Sequence, residues 1–257
     1  MKIKQVLEAL ERFAPLPLQE SWDNAGLQIG LTEAEVSGAL LCLDVNEAVI
    51  DEALARGCNL VVSHHPLLFR GLKQVADAND VQRTVRKALR ADVGIISMHT
   101  NLDNALNGVN FKIAERLGAE KVEPMGDEQH PGQWVMATLP EAMEASQFVQ
   151  HVKGQLEAAS AMCNELLKRP IHKVGICGGA GDFLLEEAIA KGADAFLTGE
   201  MHYHQYFGHE QQVQICVVGH YESEHFTKEL LRDIIEHNCP GVRCCMAETN
   251  TNPIIYL

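Results

Sequence analysis

The chain has 257 residues, 46% hydrophobic and 22% charged, a balance that suits a globular protein of one large or two modest domains. Its formal net charge of −14 repels phosphate backbones and anionic lipid surfaces. That argues against nucleic acid and membrane surfaces as partners and favours a site that gathers cations. A small anionic substrate would need a metal or local basic groups to offset this field.

Of the eight cysteines, Cys42, Cys177 and Cys216 lie in apolar runs, where a free thiol behaves as a small hydrophobe. No C-x-x-C pair suggests a zinc ribbon or a thioredoxin-type motif. The opening stretch MKIKQVLEALERFAP has a helical apolar pattern and lacks the continuous apolar core of a leader. No apolar run reaches the roughly 18–20 residues that span a bilayer. The expectation is a cytoplasmic protein.

In chain order, residues 2–14 predict a helix with Ile3, Val6, Leu7, Leu10 and Phe13 on one face. A loop carrying WDNAGLQIG (22–30) precedes a strand at 39–44, a helix at 46–57 and a strand at 59–65. Next come a helix near 78–91, a strand at 93–99 and a helix near 104–117. Residues 121–170 read as a connecting segment, with QWVMATL as an edge strand and one helix within EAMEASQFVQHVKGQLEA. The α/β rhythm then resumes, with strands at 172–177, 194–200 and 214–220, helices at 183–191 and 221–237, and a last strand near 242–248. Strands alternating with helices of this length indicate an α/β fold with largely parallel sheets.

The resumption is also a repeat. DEALARGCNLVVSHH (51–65) aligns with EEAIAKGADAFLTGE (186–200) at an offset of 135, and ISMHTNLD (96–103) with VVGHYESE (217–224) at 121. Such self-similarity predicts two related α/β lobes facing each other, residues 1–120 and 171–257, joined by 121–170.

Chemistry collects beyond the carboxyl ends of strands in such sheets. One strand ends in His64 and His65, another in His99 with Asp103 close behind. In the second half the strand ends carry Glu200, and His220 with Glu224. Imidazoles and carboxylates are ligands for zinc, iron, manganese and their neighbours. These groups exceed what one ion requires, whereas two ions about 3.5–4 Å apart would use them all. The structural alternatives are a hydrogen-bonded His99 and helix-start carboxylates at Asp103 and Glu224. Adjacent strand residues point to opposite faces, so His64 and His65 converge only where the strand turns, as Pro66 favours. In the tract GEMHYHQYFGHEQ (199–211), His204 is expected near the site, with His202 and His209 on the surface.

The motifs WDNAGLQIG, SHHPLLFRGL (63–72), HTNLDNALNGVN (99–110), GGAGDF (178–183), TGEMHYHQ (198–205), GHYESE (219–224) and NPI (252–254) run in order over nearly the whole chain. Together they resemble the Nif-three-like family, many of whose members are described as GTP cyclohydrolase I type 2 homologues. The resemblance implies a dinuclear metal centre in the cleft between the two lobes, held by His64, His65, Asp103, His220 and Glu224, and assembly into a toroidal homohexamer. It places His99, Glu200 and His204 beside the metals as candidate catalytic groups. The implied function is metal-dependent hydrolysis of a small molecule such as a purine nucleotide. The alternative is non-enzymatic metal binding or delivery. The chain looks like the family's compact form, without an inserted domain. Two divalent ions per chain are expected, and the mixed ligands suit iron, manganese, zinc or nickel.

Overall fold

A computed structural model describes residues 1–257. Its first elements are α1 (Ile3–Phe13), β1 (Gly26–Ile29), β2 (Ala39–Cys42), α2 (Glu47–Ala55), β3 (Leu60–Ser63), α3 (Asp80–Arg90), β4 (Gly94–Ser97) and α4 (Thr100–Asp103). Then follow α5 (Val109–Arg116), β5 (Lys121–Pro124), β6 (Val135–Met143), α6 (Ala145–Gln155), β7 (Met162–Cys163) and β8 (Ile171–Cys177). The last are α7 (Leu185–Ala190), β9 (Ala195–Thr198), β10 (Gln214–Val217), α8 (His220–Glu224), α9 (Thr227–Asn238) and β11 (Cys244–Met246). No helix is long and apolar enough to cross a membrane. All eight cysteines are free thiols.

The chain divides into two units, each with its own sheet. Unit 1 comprises Met1–Leu102 and His225–Pro253. Its strand order is β1-β4-β3-β2-β11, parallel except for β1. Leu40, Leu41, Val61, Val62, Ile95 and Ile96 are all fully buried. Consecutive buried residues, without a polar alternate, mark strands covered on both faces. The Asn46 side chain starts α2 by accepting the Val49 N–H at 3.0 Å. Gly57, at φ +66°, follows the end of that helix in the left-handed conformation glycine tolerates best.

Unit 2 comprises Asp103–Glu224 and Ile254–Leu257. Its order is β5-β6-β8-β9-β10-β7, with β8, β9 and β10 parallel and the other pairings antiparallel. Trp134, Phe148 and Phe196 anchor its core, each fully buried.

The register makes the repeat concrete. In unit 1, Ala39 pairs with Leu60; in unit 2, Val174 pairs with Ala195, 135 residues on in both strands (174 minus 39, 195 minus 60). Leu60 also pairs with Gly94, whereas Ala195 pairs with Gln214, an offset of 120 on the third strand (214 minus 94). The sequence alignment gives 121. The difference is one extra residue between β10 and His220, where Gly219 adopts φ +107°.

Three expectations need correction. QWVMATL is not at an edge, because β6 lies between β5 and β8. Residues 121–170 are more than a connector, since they supply β5, β6 and β7 to the unit 2 sheet. The helix expected over 221–237 is two helices, α8 and α9, and the chain changes unit between them. The units therefore differ from contiguous lobes at 1–120 and 171–257. β11 completes the unit 1 sheet by pairing parallel to β2, and α9 packs on α1.

Candidate functional site

In unit 1 the turn after β3 sets the geometry. The Ser63 hydroxyl donates to the His65 carbonyl at 2.8 Å, closing the chain just past the strand. His64 is fully buried and His65 half-buried. Their ring centroids lie 5.0 Å apart, and the His99 ring stands 5.4 Å from the first and 5.5 Å from the second. One ligand atom from each of the three lies within 4.8 Å of the others, as a metal ion requires. The two adjacent imidazoles thus converge as the sequence predicts, and His99 joins them.

Each ring is held by its Nδ1. His64 Nδ1 donates to the Met98 carbonyl at 2.7 Å, His65 Nδ1 to Asp44 at 2.7 Å, and His99 Nδ1 to Asp23 at 2.7 Å. Carbonyl and carboxylate oxygens only accept, so the proton sits on Nδ1, and in the neutral ring the lone pair is on Nε2. Metal-binding histidines are oriented in this way. Burial alone would raise the pKa of Asp23, but hydrogen bonds from His99, Thr100 and the Asn24 amide bring it down to about 2. Asp44 shows the same balance: burial pushes it up, and hydrogen bonds from His65 and Thr251 bring it below the usual range. Trp22 leans over this corner, its ring 6.1 Å from His99 and 5.8 Å from Phe69.

In unit 2 the corresponding group sits after β9 and β10. His220 Nδ1 donates to Glu200 at 2.8 Å, and His220 Nε2 lies 3.1 Å from the Glu224 carboxylate. Glu224 is almost fully buried, while Glu200 is exposed. A carboxylate in such burial requires a cationic or hydrogen-bonding partner. Glycines make room for it: a Cβ on Gly179 would come within 2.4 Å of Glu224 Oε1. A Cβ on Gly199 would come within 2.6 Å of Ser223 Oγ. Asp103 and Glu224 both act on the Cys177 thiol, whose pKa burial first, then these carboxylates, push far up.

His204 is not drawn into this group. It is exposed, with its ring 5.2 Å from Tyr203 and 6.3 Å from Phe207, and no hydrogen bond or ion pair joins it to His220 or Glu200. His202 is exposed as expected, paired with Asp182 at 2.5 Å. His209 departs from expectation: it is only 9% exposed, and its Nδ1 is buried without a hydrogen bond. Sequence reading missed Asp44 and Asp23 as ring holders. The available signal was positional, because Asp44 stands just beyond β2, at a strand end like the histidines themselves.

Comparison with known proteins follows the same lines. The Duf34/NIF3 (NGG1p interacting factor 3) family model matches residues 1–253. A Lactococcus lactis protein named GTP cyclohydrolase 1 type 2 homolog is 31% identical over 256 residues, covering 98% of each chain. A Clostridium acetobutylicum protein of the same name is 30% identical, covering 87% of this chain and 85% of its own. The crystal structure of a Staphylococcus aureus hypothetical protein superposes with a TM-score of 0.92 at 28% identity, covering 100% of this chain and 99% of that one. The two-sheet α/β fold, the ordered motifs and these matches agree: the chain belongs to the Duf34/NIF3 family.

Proposed function

We propose that this protein binds two divalent metal ions and uses them in hydrolysis of a C–N bond in a small heterocyclic substrate, as GTP cyclohydrolase I type 2 is taken to do. The observation that carries the reading is the locking of four histidines by Nδ1: His64, His65, His99 and His220 each donate to a fixed carbonyl or carboxylate. The reading assigns His64, His65, Asp103, His220 and Glu224 as metal ligands. The donor set of imidazole nitrogens and carboxylates suits iron, manganese, zinc or nickel. Bound divalent metal supplies Lewis-acid activation of water and of the group under attack.

The chain's own residues supply the rest. Asp44 and the Met98 carbonyl orient the rings of His65 and His64. His99, held by Asp23, and Glu200, held by His220, are the groups placed to accept or return a proton. The exposed position of His204 gives it no such part.

Metal content per chain, measured on protein purified without added metal, is the direct test. About two ions per chain, lost on His64→Ala together with hydrolysis of GTP or a formamide, sustain the reading. Equal content and turnover in both proteins overturn it. The exposed His202 and His204 favour a second reading, delivery of metal to an acceptor protein, which predicts transfer of metal without turnover of any substrate. A ring of six chains and a cytoplasmic location belong to the same proposal, with native mass spectrometry reading the ring.

A further inference from the structure

Unit 2 holds a cavity of about 460 Å³ directly against His220 and Glu200. Its size falls in the range of small-molecule sites, roughly 300–1,000 Å³. The walls are largely apolar, with Met162, Met201, Val217, Val218, Ile254 and Tyr256 around it. Two thioethers and a phenol ring suit a flat aromatic occupant, which sulfur and π faces contact well. The polar groups are few and of one character. Glu200 and Asp182 offer carboxylate oxygens, His202 and His220 are already paired to them, and no lysine or arginine lines the cavity.

The rim formed by Tyr256 is a built feature. The Tyr256 hydroxyl engages Ser160 and Glu222. A Cβ on Gly219 would come within 2.7 Å of that hydroxyl and 2.2 Å of Glu222 Oε2, so glycine lets the ring approach the strand end. Tyr256 thereby stands over the same turn that presents His220.

A triphosphate carries several negative charges, and sites that bind one do so with arginine, lysine or backbone-amide cradles. Here it would meet two carboxylates and no lysine or arginine, on a chain of net charge −14, so its compensation would fall to the proposed metal ions alone. Carboxylates beside an apolar slot instead accept N–H groups. We infer that this cavity is the substrate subsite and that it selects an unphosphorylated nitrogen heterocycle, neutral or cationic, over the nucleoside triphosphate. The inference rests on His220 belonging to the reaction centre. It names the substrate class of that centre, with ring N–H groups on Glu200 and Asp182 and the ring face between Tyr256 and the methionines.

Isothermal titration with guanosine, 7-methylguanosine (cationic) and GTP tests it, on the protein as purified and after chelation. Guanosine and 7-methylguanosine should bind at least about tenfold more tightly than GTP at low ionic strength, with the gap narrowing as salt screens the carboxylates. Tyr256→Ala, at the half-open rim, should weaken guanosine at least about fivefold. Met162→Arg, on an exposed edge strand, should strengthen GTP selectively. GTP binding as tight as guanosine, or guanosine binding unmoved by Tyr256→Ala, overturns the inference, as does the absence of binding by either nucleoside. Binding needs no turnover, so a protein that binds guanosine as described but hydrolyses nothing refutes the hydrolase reading while sustaining the subsite.

Discussion

The two units share a scaffold and divide the chemistry. β2, β3 and β4 run parallel in unit 1 as β8, β9 and β10 do in unit 2, with the first strand pair in identical register 135 residues apart. Even the clamp below the strands is kept. Asn59 accepts the Ser37 N–H at 2.8 Å, and 135 residues on Asp194 accepts the His172 N–H at 3.0 Å. Gly57 and Gly192, again equivalent, both take the left-handed conformation after a helix. At the other end of the strands the units part. Unit 1 has Asp44, His64 and His65 where unit 2 has Gly179, Gly199 and Glu200. Unit 1 fills its strand ends with side chains; unit 2 empties them so that Glu224 and His220 can pack close to the backbone. A duplicated fold thus yields two unlike sets of imidazole and carboxylate groups.

That contrast can be broken experimentally, and the largest effect should come from the histidines of unit 1. His64→Ala removes a fully buried imidazole. On the proposed reading it should lower metal content by at least one ion per chain and activity by more than about a hundredfold. Glu200→Gln, at the equivalent of His65, should leave metal content near its original value, and elemental analysis of the two variants side by side decides. Next in size is the support for the rings. Asp44→Asn, or Asp23→Asn, should weaken metal affinity roughly 10–100-fold, the usual cost of losing a histidine's partner, as competition against a chelator would measure.

The glycines sharpen the comparison from the opposite side. Gly199→Ala should destabilise the protein by about 1–3 kcal/mol, as overpacking does, because the added methyl meets Ser223 Oγ and the Gly179 carbonyl. Urea unfolding reads this directly, and an unchanged midpoint would mean that the strand end is looser than described. The smallest effect concerns the clamps. Burial would raise the pKa of Asp194, but the Lys173 and His172 amides and Arg169 bring it below the usual range. A depressed carboxylate adds stability above its unfolded pKa, about 3.9, and that contribution fades as pH falls and the native carboxyl takes up its proton. Asp194→Asn should therefore cost about 1 kcal/mol at neutral pH and progressively less below pH about 4. Asn59, which does not titrate, should give unit 1 no such pH dependence.

Much of this was legible in the residues. A histidine pair before proline at the end of an apolar run converges because a turning strand lets it, and the 135-residue repeat survives as strand register. The one-residue discrepancy on the third strand was not legible, because a glycine at positive φ absorbs it locally and leaves the His-x3-acid spacing intact. Asp23 and Asp44 escaped for a different reason. Their partners lie 76 and 21 residues away in sequence, and no local pattern ties a carboxylate to a ring brought near only by the sheet. The interior place of β6 was hidden too, since a strand flanked by loops looks the same whether it has one neighbour or two. His204 shows the converse error, in which a motif position is mistaken for a position in space.

β11 carries a consequence for synthesis. The unit 1 sheet is finished by a strand at 244–246, whose partner β2 was made about two hundred residues earlier. During translation the open edge of β2 must wait, exposed, until nearly the whole chain has left the ribosome, whereas the strands of unit 2 all lie between 121 and 217. The later-encoded sheet can therefore close first. An unfinished parallel edge is a template for unwanted pairing, so the stretch around β2 is where a nascent or truncated form of this protein would aggregate.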